Sequence, residues 1–461
     1  MRIEKDSMGE MKVPDAALYG ASTRRAVLNF PVSGQPMPET FIRGLALVKW
    51  ACARANGELD QMAPDKVDLI CRAAGEIMDG GHRDQFPVDV FQTGSGTSTN
   101  MNVNEVLANR ASQLAGKPVG TKEPVHPNDD CNRGQSSNDV VPTALHVSVA
   151  LAIREQLRPA LEKLETALSR KEMEFAEVVK IGRTHLMDAT PLTLGQEFSG
   201  YRAQVRKGIG RCDKAVEALQ ELAIGGTAVG TGINCHPGFP AAVCRLISEK
   251  TGIVFREAEN HFEAQGGRDD AVEVAGLLSA IAGSLTKIAN DIRLLGSGPR
   301  SGIGELFLPA TQPGSSIMPG KVNPVMSEML VQAALFAQGM FSIVSACGRD
   351  GHFELNVTVP LIAKSLLDAI QVLANGSALF ADRCVDGIQV NRERCDELVR
   401  RSLMLVTALN PHIGYDKAAM VAKLAYEQNK TLREVVLELG LMEAAALDKA
   451  LDPKGMVGRR T

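Results

Sequence analysis

A chain of 461 residues that is 44% hydrophobic but only 4% aromatic has material for two or three units sharing a large core, filled by aliphatic side chains as helix-on-helix packing prefers. A formal net charge of -4 and a pI near 6.1, with both signs interspersed, argue against nucleic acid or an anionic membrane as the main partner. The nine cysteines show no C-x-x-C pair, the opening MRIEKDSMGEMKVPD has no apolar signal core, and no run approaches the ~20 apolar residues of a membrane span, so a reducing, cytoplasmic setting is expected.

Residues 1–138 hold helical stretches at about 38–59, 64–80 and 103–115, separated by polar loops. Leu145, Val149, Ile153, Leu157, Leu161, Leu164 and Leu168 then step by four and three, with Asn138 or Asp139 placed to cap the helix and Pro159 to kink it or open a turn within it. The stripe Leu194, Phe198, Tyr201, Val205, Ile209, Cys212, Val216 and Leu219 follows. Next comes Val274, Leu278, Ile281, Leu285, Ile288, Ile292 and Leu295, roughly six turns and ~30 Å long, with Asp269 or Asp270 as cap. Helices at about 326–347 and 361–384 complete five long antiparallel rods, which make a bundle. From Asn391 onward, short amphipathic helices break at Asn410-Pro411, Gly414, Gly440 and Pro453, and parallel-sheet patterns are missing. The fold is expected to be mainly α in three units: 1–138 with binding loops, 139–392 as the central bundle, and 393–461 as a small helical end.

Five polar islands interrupt this pattern: TGSGTSTNMNVNE (93–105), HPNDDCNRGQSSND (126–139), GRTHLMDATP (182–191), GGTAVGTGINCHP (225–237) and GSSIMPGKVNP (314–324). Each taken singly reads as caps and turns. Together, at the ends of long helices, they read as a receptor for carboxylates or phosphates: neutral donors at helix N-termini, backed by cations such as Lys321 and Arg183. Neither glycine-rich island fits a phosphate-binding loop, since neither follows a strand. Abstracting a proton beside a carboxylate puts more negative charge on that carboxylate, and Lys321 and Asn323 suit its stabilisation. Ser315 is the candidate base, because a serine alkoxide becomes usable when backbone N–H groups and a cation hold it. A nucleophilic serine for acyl transfer is the rival reading, but no G-x-S-x-G elbow is present.

GSSIMPGKVNP closely resembles the signature of the fumarase/aspartase superfamily, and the other islands resemble class II fumarate hydratases from EKDSMG (4–9) to MVG (456–458). The resemblance implies a fumarase/aspartase-like fold and reversible hydration of fumarate to L-malate, with no metal and no organic cofactor. It further implies a homotetramer built on the central helices, with each active site assembled from three subunits. By matched position, Ser315 is the base for the C3 proton, His185 activates the water, and Glu328 holds that histidine's charge state. Ser95, Gly96, Thr97, Ser136, Ser137, Asn138, Thr184, Ser316, Lys321, Val322 and Asn323 bind substrate. His126, Pro127, Asn128 and Asp129 match a second dicarboxylate site. The alternative is an aspartate ammonia-lyase; Ser95, Ser137 and Thr190 fall on the fumarase side. Met187, Gly134 and His352 depart from the usual fumarase pattern.

Overall fold

The computed structural model describes residues 1–458, so the last three residues of the expected 393–461 end lie outside the described part. Helix dominates, and strands are confined to two-stranded ladders. The long helices run Ser137–Ala152, Arg158–Glu174, Leu194–Ala218, Asp269–Leu295, Val325–Gly348 and Val359–Arg383. The chain divides into two compact units: 1–159, 208–283 and 333–375 in the first, and 160–207, 284–332 and 376–461 in the second. All five boundaries fall inside long helices, so these units cut across the three segments read from the sequence.

In the first unit the helix Glu39–Glu58 is the centrepiece, packed by Pro64–Met78, Ser137–Ala152 and Phe239–Thr251. Gly44 allows the close approach of Ser137–Ala152, because a Cβ there would stand 2.7 Å from Ser148 Cβ. Ser136, rather than Asn138 or Asp139, caps the helix Ser137–Ala152. Asp139 instead accepts the Ser136 N–H at 2.8 Å, completing a reciprocal capping box. Just ahead of Pro159 a π-turn at Ile153–Leu157 interrupts the regular α-helix and joins its two parts.

The second unit has an apolar core from the C-terminal helices, including Val399, Leu409, Val421, Val436 and Leu447, and Ile181 belongs to the same core. Ile181 lies on a hairpin of Val179–Thr184 and Met187–Thr193, in a region whose polar composition hid its strands. One pair of strands, Glu221–Leu222 with Arg256–Glu257, is parallel; at two residues each it leaves no sequence pattern to read.

Two helices, Asp269–Leu295 and Val325–Gly348, are long and apolar enough by composition to cross a membrane, contrary to the expectation drawn from uninterrupted runs. The core helices of bundle proteins meet the same criterion of length and composition.

Candidate active site

Two helix N-termini meet in the first unit at the residues expected to form a receptor. Thr97 opens the helix Thr97–Leu114 and Ser137 opens Ser137–Ala152, and their hydroxyl oxygens lie 2.8 Å apart. Ser95 Oγ lies 2.9 Å from Thr97 Oγ1. The positive ends of two helix dipoles therefore meet in one place, an arrangement that attracts an anion. Gly96 permits it: its φ is 74°, and a Cβ would come within 2.7 Å of Val141. Asn138 spends its amide on Ala228 O at 2.8 Å. Thr97, Ser136 and Ser137 line a cavity of about 850 Å³ that also takes in Asn128 and Asp129.

Asp139, absent from the expected site, organises this receptor from below. Fully buried, it accepts N–H bonds from Ser136, Gly225 and Thr227 at 2.8 to 3.0 Å, which ties the islands at 126–139 and 225–237 together. Burial pushes its carboxyl up to about 6 despite those bonds. The residues expected to form a second site are equally ordered. His126 Nδ1 accepts the N–H groups of Asn128 and Asp129, each at 3.2 Å, and the His126 N–H donates to Asp130, itself held by Lys66 at 2.8 Å. Pro127 is buried. At Gly134, one of the three departures, the backbone is left-handed with φ 72°.

The remaining site residues belong to the second unit. His185 and Leu186 form the two-residue tip of the hairpin, both at positive φ, 56° and 61°, the geometry of a type I′ turn occupied without glycine. Thr184, His185 and Met187 are exposed. The root of the hairpin is rigid. Arg183 makes a two-pronged pair with Glu305 at 3.0 Å on each prong, and Lys180 pairs with Glu197 at 2.7 Å and Glu305 at 3.2 Å. Arg183 is therefore committed to Glu305 and is not the free receptor cation expected from the sequence.

The loop 314–324 is closed at its neck. The Gly314 N–H donates to Lys321 O at 2.7 Å, and Asn323 Nδ2 donates to Gly314 O at 2.8 Å. Inside the loop, Ser315 Oγ accepts the N–H groups of Ile317 at 3.2 Å and Met318 at 3.0 Å. Ser316, Lys321 and Val322 are exposed. The helix Val325–Gly348 follows at once, with Glu328 in its first turn. Among the described residues, no hydrogen bond joins Glu328 to His185.

Asp139 and Glu305 were missed because Asp139, after Ser137 and Asn138, reads as a helix cap and Glu305, after Gly304, reads as a loop residue, and burial leaves no mark on a single letter. Lys49 carried a usable signal: it lies four residues after Leu45 and three before Cys52, on the buried face of the helix Glu39–Glu58.

Comparison with known proteins agrees with this geometry. Residues 9–339 match the family described as Lyase, and residues 405–458 match Fumarase C C-terminus. The mitochondrial fumarate hydratase of Rattus norvegicus is 50% identical over 459 residues, 99% of this chain and 90% of that protein. The class II fumarate hydratase of Thermosynechococcus vestitus is 50% identical, covering 100% of this chain and 98% of its own. Among solved structures, the class II fumarase of Schistosoma mansoni superposes with a TM-score of 0.96 at 41% identity over 99% of both chains. A fumarate lyase:delta crystallin from Brucella melitensis, solved with cobalt bound, gives 0.95 at 44%, over 99% of this chain and 100% of its own.

A mainly helical fold with a serine loop and paired helix N-termini thus belongs to a lyase of the fumarase/aspartase superfamily. Within that superfamily the chain belongs to the class II fumarate hydratase family.

Proposed function

We propose that Ser315 and His185 are the proton-transfer pair of this fumarate hydratase, whose reaction is the reversible hydration of fumarate to L-malate. The observation that carries the role of Ser315 is the pair of N–H groups, from Ile317 and Met318, aimed at its Oγ. Two such donors lower the cost of an alkoxide. In the malate-to-fumarate direction Ser315 takes the C3 proton, and the released electron pair spreads onto the adjacent carboxylate. Lys321 and Asn323 stabilise that charge. The C2–O bond then breaks as the pair forms the C2=C3 bond, and protonated His185 supplies the proton with which hydroxide leaves as water. Glu328 stabilises the charged form of His185. Ser95, Gly96, Thr97, Ser136, Ser137, Asn138, Thr184, Ser316 and Val322 hold the dicarboxylate, and His126, Pro127, Asn128 and Asp129 form a second dicarboxylate site. The ammonia-lyase alternative is not favoured by full-length relatives at about 50% identity.

The same reading makes the protein a cytoplasmic homotetramer with sites shared among three subunits, the 139–392 segment forming its core. Support comes from the helix Val325–Gly348, whose apolar window is only 33% buried in the single chain and whose Leu335 is 60% exposed. A lone chain rarely leaves such a face in water. The nine free thiols fit a reducing compartment.

The test is fumarate absorbance with L-malate or L-aspartate as sole substrate. Signal from malate, with kcat reduced ~10²–10⁴-fold in Ser315→Ala and in His185→Asn, is expected. Signal from aspartate alone, or unchanged kcat in Ser315→Ala, overturns the reading. Mixing the two inactive variants after dissociation should regenerate activity if the residues come from different chains, and no recovery in proven hybrids counts against shared sites.

A further inference from the structure

Lys49 is 1% exposed in the middle of the helix Glu39–Glu58. A buried ammonium is expensive unless every proton finds an acceptor. Here the acceptors are Gln135 Oε1 at 2.9 Å, Asn132 Oδ1 at 3.0 Å and Cys131 O at 3.5 Å. All three come from the five residues just before Ser136. Asn132 Oδ1 also accepts from Asn100 Nδ2 at 3.0 Å and Asn104 Nδ2 at 3.2 Å, both on the helix that Thr97 opens. Its own Nδ2 donates to Gln135 O at 3.0 Å. Lys49 is thus the hub where the islands at 93–105 and 126–139 meet, beneath the two helix N-termini.

We propose that Lys49 is a positioning residue: its buried ammonium fixes Asn132 and Gln135, and through them sets the spacing of the Thr97 and Ser137 helix starts that receive the substrate carboxylate. This rests on those helix starts being the substrate receptor. Preorganised donors bind better because little ordering remains to be done on binding. The effect belongs to substrate binding, since Lys49 reaches none of the residues assigned to proton transfer. Burial also lowers the ammonium to about 8. The titratable groups facing it are Cys52, Cys131 and Asp139. The Cys52 and Cys131 thiols are pushed up, Cys131 to about 12, and Asp139 sits at about 6, so Lys49 alone of this cluster changes charge near pH 8.

The experiment measures kcat and KM for L-malate and fumarate in Lys49→Met, Gln135→Leu and Ser137→Ala enzymes, with circular dichroism and native mass confirming fold and assembly. Lys49→Met should raise KM about tenfold or more, with kcat within threefold. Gln135→Leu, which keeps the lysine, should raise KM by less and carries the test if Lys49→Met does not assemble. The parent's KM should climb as pH passes about 8, and Lys49→Met should lose that limb. If Ser137→Ala raises KM while Lys49→Met and Gln135→Leu, both folded, stay within twofold of the parent, the positioning role is wrong and the receptor stands. If Ser137→Ala also leaves KM unchanged, the receptor reading itself fails.

Discussion

Replacing Glu305 by glutamine isolates what the ion cluster under the histidine hairpin contributes. Glu305 has a fully buried side chain, Lys180 is 1% exposed and Arg183 18% exposed; Glu197 completes two cations and two anions. Glu305→Gln removes one charge and leaves one buried positive charge uncompensated. It also turns one of the two acceptors facing Arg183 into a donor, so the amide can answer one prong of the guanidinium and repels the other. Removing one partner of a buried pair costs about 3–5 kcal/mol. If that loss falls on the unfolding step, the half-life for thermal inactivation shortens by at least about 10². The assay is residual activity after timed heating at one fixed temperature, which needs no two-state assumption in a chain with two units. The double variant Arg183→Met with Glu305→Met deletes a matched pair and leaves Lys180 with Glu197, so it should recover most of the half-life. A Glu305→Gln half-life within threefold of the parent, or a double variant no better than the single, refutes the reasoning.

Acidification should act on two buried groups of the first unit in opposite directions. His146, lowered by burial from 6.5 to about 4, contributes stability that is complete above pH 6.5 and is lost as pH falls through about 4. Asp139, raised by burial to about 6, contributes stability that is present below about pH 3.8 and is lost as pH rises through 6. Urea midpoints between pH 7 and 4 should therefore fall more steeply in Asp139→Asn and less steeply in His146→Gln, and equal slopes in all three proteins would remove this account. Leu335→Glu together with Phe336→Glu places two charges on a face that is 60% and 44% exposed in the single chain. The pair should leave helicity intact, reduce the mass seen by light scattering to that of smaller species, and abolish turnover; an active tetramer would show that this face is not an interface.

The fold class was legible because long aliphatic stripes at a helical period admit few other structures, and the stripes from Leu194, Val274 and Leu145 fall in observed helices. The hairpin at Val179–Thr193 was not legible, since its polar tip and its bulge beside Gly182 interrupt the alternation that marks a strand. In the site, the loop from Gly314 to Pro324 could be read because its residues are chemically unusual together. Asp139 could not: its neighbours Ser137 and Asn138 look the same whether the carboxylate caps a helix in water or organises a loop in the core. Lys49 sits between these cases. Helical phase puts it on the buried face, but only the three acceptors around it distinguish a structural hub from a misplaced surface charge.

The placement of Glu305 joins two features that the sequence kept apart. Its carboxylate holds Arg183, two residues before His185. Its N–H donates to Leu295 O and its C=O accepts from the Asn391 N–H, both at 2.9 Å. The strand Leu306–Phe307 that follows is joined to the loop bearing Ser315 by the six residues 308–313. One buried residue therefore anchors the root of the histidine hairpin and the root of the serine loop within the second unit, while both tips stay exposed, with Leu186 at 78% and Ile317 at 83%. Tips left open to water can move to admit a substrate, whereas roots pinned by charge pairs and ladder hydrogen bonds set where the tips return. The cost of burying Lys180 and Glu305, with Arg183 and Glu197 partly covered beside them, is then understandable as a cost of position rather than of stability: a hydrophobic replacement would hold the core as well, but it would not fix the angle at which the hairpin carrying His185 leaves it.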